Sequence, residues 1–205
     1  MTAVGRNVTR KDGAAKTSGA ALYIDDLTFP GMLHGMTVRS TVPCGRIRGI
    51  APTFDDAGFT IVRASDIPGR NVIALIEDDQ PCLAERDVSH MAEPIMLVAH
   101  ESRDALIGVR FEIDYERTEP VFDPLASTKV LKSLNITKGD VDAAMAGAEL
   151  VVEGEYRTGH QEHVYIENNG VIAVPENGGV TIYGSLQCPF YVQKAMRVLL
   201  ALPDE

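Results

Sequence analysis

The chain has 205 residues, 45% of them hydrophobic, with 19 Lys and Arg against 29 Asp and Glu for a formal net charge of −10. That length and hydrophobicity suit one ordinary domain, or one and a half small ones, and exclude general disorder and a fibrous repeat. The acidic balance argues against nucleic-acid binding, which needs a basic patch, and no apolar run approaches the roughly 20 residues of a membrane-spanning helix.

The N-terminus lacks the apolar stretch of a secretory signal, so a cytoplasmic location is expected. Cys44, Cys82 and Cys188 are far apart and odd in number. Without a CxxC pair they build neither a zinc ribbon nor an iron–sulfur site, and they read as reduced thiols.

Taken in order, residues 1–20 show no apolar period and read as an extended lead-in. Strands are expected at 32–40, at 45–50 with Ile47 and Ile50 as apolar contacts, at 59–63, and at 71–76 before the acidic turn Glu77-Asp78-Asp79. The continuous apolar run Pro94–His100 predicts a central strand covered on both faces. Ser102 is a candidate N-cap for a short helix, and Phe111, Ile113 and Tyr115 share one face of a following strand. Many short strands and few helices predict an α+β fold with one main sheet over roughly 17–117.

Residues 118–136 lack a period and read as a linker. Asp140 is expected to cap a short helix carrying Val141, Ala144 and Met145 on one face. Strands are then expected at 150–157, 170–175 and 179–184, and a helix from Tyr191 to Ala201 with Val192, Met196, Leu199 and Leu200 inward. Three strands and one helix bury little surface, so this block is expected to be the opening of a larger fold. Val151, Ile172, Val174 and Ile182 are expected to lack cover, and self-association follows from that.

Motif by motif, most chemistry is absent. There is no GxGxxG after a strand, no phosphate loop and no GxSxG. His160 and His163 stand three apart but among strand-like neighbours, and polar strand-end residues explain them better than metal ligands. The acidic turn 77–79 lacks the spaced ligands of a calcium loop. Gln187 lies between an expected strand end and helix start, where a side-chain amide either caps the loop or donates to a ligand oxygen.

Several stretches, in order, resemble the molybdopterin-binding large subunit of the xanthine dehydrogenase/aldehyde oxidase family. They are Lys11 to Asp26, Pro30-Gly-Met-Leu-His-Gly, Val38-Arg-Ser, Arg46-Ile, Ala64-Ser-Asp-Ile-Pro-Gly and Val88 to Ala99, all similar to its α/β hammerhead domain. Lys138-Gly-Asp-Val-Asp-Ala-Ala, Val152-Glu-Gly-Glu-Tyr, Gln161 to Glu167 and Ser185-Leu-Gln-Cys-Pro-Phe resemble the start of its molybdenum-binding domain.

The resemblance implies a lead-in at 1–16, a hammerhead domain at 17–117, a linker at 118–136 and a partial molybdopterin-binding domain at 137–205. It implies hydroxylation of an aldehyde or N-heterocycle, with water as oxygen source, at an oxo-sulfido molybdenum held by a pterin. Electrons would leave through iron–sulfur and flavin groups on partner domains or subunits. Gln187 is similar to the glutamine that hydrogen-bonds the molybdenum oxo group, although the family usually shows Thr-Gln-Asn where this chain has Leu186-Gln187-Cys188. The family's pterin-holding Gly-Phe-Gly-Gly segment and catalytic glutamate have no counterpart in these residues. The expectation is therefore an N-terminal part of such a subunit, with no catalytic residue, no metal ligand and no bound cofactor of its own. Its partners would be the remainder of the subunit and the iron–sulfur and flavin subunits. The alternative is a non-enzymatic hammerhead scaffold that binds partners.

Overall fold

The strands His34–Arg39 (β1), Gly45–Pro52 (β2), Thr60–Arg63 (β3), Asp87–Val88 (β4), Pro94–His100 (β5) and Phe111–Arg117 (β6) build two small sheets instead of the single one expected. The computed structural model describes residues 4–73 and 77–203. One antiparallel sheet has the order β1-β5-β3 and the other β4-β2-β6. The expected strand at 71–76 lies partly outside the described residues, and Asn71–Ile73 forms no strand.

β5 is the central strand of its sheet, as its apolar run predicts. Met96 and Val98 are fully buried on one face, but on the other face Leu97 is 44% exposed. Antiparallel pairing permits this, because such a sheet needs cover on only one side. Across the sheet, Met36 and Ile61 flank Val98 in register. Ile47 and Ile50 are three apart, which strict alternation would place on opposite faces. A bulge between Ile47 and Gly49 shifts the phase, so that Ile47 pairs with Tyr115 and Ile50 with Ile113. Both sheets thus serve one core around Ala84, Val88, Ile95, Met96, Val98, Leu106 and Val109.

Two features correct the expected lead-in and second block. Gly13–Ser18 is a short helix (α1), ended by Gly19 in the left-handed conformation, with no buried residue. Leu150–Arg157 forms no strand, and Leu150, Val152 and Tyr156 are at least 80% exposed. Its alternation is real, but no neighbouring strand takes up its backbone groups, and a strand exists only in pairing.

The other helices follow their caps. Ser102 accepts from Ala105 N–H at the start of Arg103–Ile107 (α2), and Asp140 accepts from Ala143 N–H at the start of Val141–Ala146 (α3). Val171–Glu176 (β7) and Gly179–Gly184 (β8) form an antiparallel hairpin, and Pro189–Leu200 is the longest helix (α4). The chain divides into two compact units, Met1–Pro120 with Glu167–Glu205, and Val121–Ile166. In the second unit, α3 and one 3-10 turn at Pro124–Ala126 are the only regular elements, and every residue is exposed.

Candidate functional site

The hairpin and α4 define the place where Gln187 stands. Asn177 and Gly178 join β7 to β8, with Gly178 at φ 82°, a left-handed turn conformation open to glycine. The hairpin rests on the Ile24–Phe29 segment. Ile24 N–H donates to Glu167 Oε1 at 3.4 Å, and the Phe29 and Tyr183 rings stand 5.2 Å apart. At the end of β8, Ser185 N–H donates to Gly170 O at 3.2 Å, which fixes the beginning of the loop Ser185–Cys188.

Cys188 closes that loop as the N-cap of α4, in the left-handed conformation at φ 55°. Pro189 follows at the first helical position, where its fixed φ is already helical and its missing N–H costs nothing. Ala195 and Leu199 bury one face of the helix, while Val192, Met196 and Leu200 are half-buried. Val192, Met196, Leu199 and Leu200 are the expected inward positions, and Ala195 joins them without having been expected.

Between these fixed points Gln187 is exposed, and among the described residues no group hydrogen-bonds its amide. A primary amide in that state offers two N–H donors and one acceptor to a ligand. It stands beside the N-terminal end of α4, whose partial positive charge favours an electron-rich partner. The donor set therefore fits an oxygen-bearing cofactor. Its neighbours Leu186, Pro189 and Phe190 line a mostly apolar cavity of about 500 Å³ between β8 and α4. A second cavity, of about 530 Å³, is lined by Ile24, Met32, His34, Arg103 and Ile172 among others.

The other sequence candidates do not converge. His160 and His163 are exposed in the segment of the second unit that has no regular structure. In the acidic turn, Asp78 accepts from Arg70 at 2.9 Å. Among the described residues no three His, Cys, Asp or Glu side chains meet as a metal site. Cys44, Cys82 and Cys188 are all free, and burial pushes the Cys82 thiol above its ordinary range. At α1, the Arg10 guanidinium and the Lys16 ammonium lower the Asp12 carboxyl to about 2. Of the four apolar residues expected to lack cover, Val151 is 45% exposed, while Ile172, Val174 and Ile182 are half-buried.

Residues 18–119 match the family model described as the aldehyde oxidase and xanthine dehydrogenase a/b hammerhead domain, and residues 122–205 match the molybdopterin cofactor-binding domain. The chain belongs to the xanthine dehydrogenase/aldehyde oxidase family. It corresponds to the hammerhead domain and the start of the molybdenum-binding domain of the large subunit.

A nicotinate dehydrogenase large molybdopterin subunit of Eubacterium barkeri is 31% identical over 98% of this chain and 51% of its own length. A probable xanthine dehydrogenase subunit of Bacillus subtilis is 28% identical over 96% of this chain and 29% of its own length. This chain thus spans about half, or less, of these relatives. In fold it is similar to the quinoline 2-oxidoreductase of Pseudomonas putida, with a TM-score of 0.79 over 98% of this chain and 29% of that one, at 21% identity. The α+β reading with a hammerhead domain is borne out. No helix among the described residues is long and apolar enough to cross a membrane.

What the sequence reading missed lies at the far end of α4. The segment Asp66-Ile-Pro-Gly reads as a turn that closes a strand, and Gly69 within it does more than turn the chain.

Proposed function

We propose that this chain forms the hammerhead and the opening of the molybdenum-binding domain in a subunit that hydroxylates a carbon of an aldehyde or N-heterocycle, with water as oxygen source. Membership of a molybdenum-dependent oxidoreductase family supports the reaction class. One observation carries the reading to a residue: the uncommitted amide of Gln187, held on a loop fixed at both ends.

The molybdenum–pterin group, when bound, supplies the two-electron oxidation of the substrate carbon, and its electrons pass to iron–sulfur and flavin groups on partner domains or subunits. Gln187 donates an N–H to an oxygen of that group. Leu186, Pro189 and Phe190, its neighbours in the chain, line the apolar cavity next to it. No other residue of this chain is assigned to the site. The 205 residues by themselves bind no cofactor in this reading, and their partners are the remainder of the subunit, the iron–sulfur and flavin subunits, and a second copy of the chain. Three unlinked thiols fit a reducing, cytoplasmic compartment.

The test uses the intact subunit with its partners. Gln187→Ala should lower kcat by about a hundredfold to a thousandfold, the scale on which one donor to a reacting centre acts, and leave molybdenum content unchanged. An undiminished rate overturns the assignment. The 205-residue chain alone should oxidise neither aldehydes nor purines with an artificial acceptor, and turnover by it would overturn the reading of the chain as a part. Light scattering at high micromolar concentration should show a dimer or larger species, and a clean monomer counts against self-association.

A further inference from the structure

The last carbonyls of a helix have no partner within it and must find one elsewhere. At the C-terminal end of α4, Arg197 O accepts from Ala201 and Leu202 N–H. Two further carbonyls are satisfied from outside: Gly69 N–H donates to Leu199 O at 2.8 Å, and Arg70 N–H donates to Val198 O at 3.1 Å. A turn of the hammerhead region thus caps a helix of the molybdenum-binding region. The approach requires a residue without a side chain. A Cβ on Gly69 would stand 2.8 Å from Leu199 O and 2.9 Å from Ala201 N, and closer still to Val198 O. All three are backbone atoms and cannot swing aside. The turn itself is pinned next door, where Asn71 Oδ1 accepts from Cys82 and Leu83 N–H and Asn71 Nδ2 donates to Leu83 O at 2.7 Å.

The other end of α4 carries Cys188 and, before it, Gln187. A twelve-residue helix is a rod of about 18 Å, and a shift at one end re-aims the other. We infer that Gly69 is a positioning residue: its turn fixes the seat of α4, and through α4 the loop that presents the Gln187 amide. This inference rests on the reading of Gln187 given above, yet the coupling between turn and loop is measurable by itself.

Cys188, exposed and adjacent to Gln187, is the reporter. In the 205-residue chain, Gly69→Ala should raise hydrogen exchange of the α4 amides about tenfold or more and change the peptide-resolved rate of iodoacetamide labelling at Cys188 severalfold. Gly139→Ala is the control, because Gly139 has φ 72° and nothing within 4 Å of its would-be Cβ, so it strains the backbone of the other compact unit. It should leave both readouts at wild-type values. Unchanged Cys188 labelling in Gly69→Ala, or an equal change in Gly139→Ala, overturns the inference.

Should Gly69→Ala fail to fold, the wild-type chain decides. The Gly69 and Arg70 amides should be protected and should lose protection together with α4 as denaturant is raised; free exchange of those two beside a protected α4 overturns the clamp. In the intact subunit, both Gly69→Ala and Gln187→Ala should alter the electron paramagnetic resonance of molybdenum. An unchanged signal in Gly69→Ala, where Gln187→Ala alters it, sinks the positioning role. A signal and turnover untouched by Gln187→Ala, with Cys188 still responding to Gly69→Ala, leaves the clamp standing and removes the cofactor reading.

Discussion

Tyr115 faces the core from β6 with its hydroxyl buried and without a hydrogen-bond partner among the described residues. A buried hydroxyl that has lost its water and gained nothing is a net cost. Tyr115→Phe should therefore be neutral or stabilising by up to about 1 kcal/mol in urea unfolding, and a clear loss would mean the hydroxyl has a partner after all. Asn71 is the opposite case, with three hydrogen bonds to the backbone of Cys82 and Leu83. Asn71→Ala should cost about 2–3 kcal/mol by the same measurement, since it orphans half-buried backbone groups. Asp12 titrates near 2, against an ordinary 3.8, because Arg10 and then Lys16 favour its charge. Its native pKa is the lower one, so the unfolded chain binds more protons between those values. The support it gives α1 is complete above about 4 and is lost as the pH falls through about 2. A carboxyl carbon resonance of Asp12 with its midpoint near 3.8 would show that the pairing is absent in solution.

Among the elements, those with a local signal were legible in the sequence. The Ser102 and Asp140 caps mark their helices because a short side-chain oxygen before an apolar run satisfies first-turn N–H groups. β5 and β6 follow their apolar pattern, and Met96→Ala in β5 should cost about 2–5 kcal/mol because Met96 has no exposed surface. Others were not legible, for physical reasons. α1 buries no residue, so no apolar period marks it, and its Ala residues and the left-handed Gly19 carry the helix instead. The division into two sheets depends on the β2 bulge, which no pattern of residue types shows. Leu150–Arg157 has the strand pattern and no strand to pair with. At the site, the position of Gln187 between strand and helix was legible from its flanking elements. The role of Gly69 was not, because a close approach between distant segments leaves no local mark.

At the scale of the molecule, regular structure is unevenly shared. The sheets, the hairpin and α4 belong to one unit, while the unit Val121–Ile166 has no buried residue. Backbone that is neither buried nor laddered opens at little cost and is cut first. Brief trypsin treatment should therefore cleave first after Lys129, Lys132, Lys138 or Arg157 and spare Arg39 and Arg46 within the sheets, as mass spectrometry of the earliest fragments would show. First cuts within β1 or β2 would contradict this division.

The capping of α4 also has a meaning in time. A ribosome delivers the Gly69 turn, and strands β1 to β6, well before it delivers Pro189–Leu200. The acceptor carbonyls arrive later, at a seat that already exists, and long-range closures of this kind are slow compared with local ones. In pulse-labelled refolding, the hammerhead amides should gain protection first, and those of α4 should follow in one step together with Gly69 and Arg70. The nascent chain in effect prepares the landing place for α4.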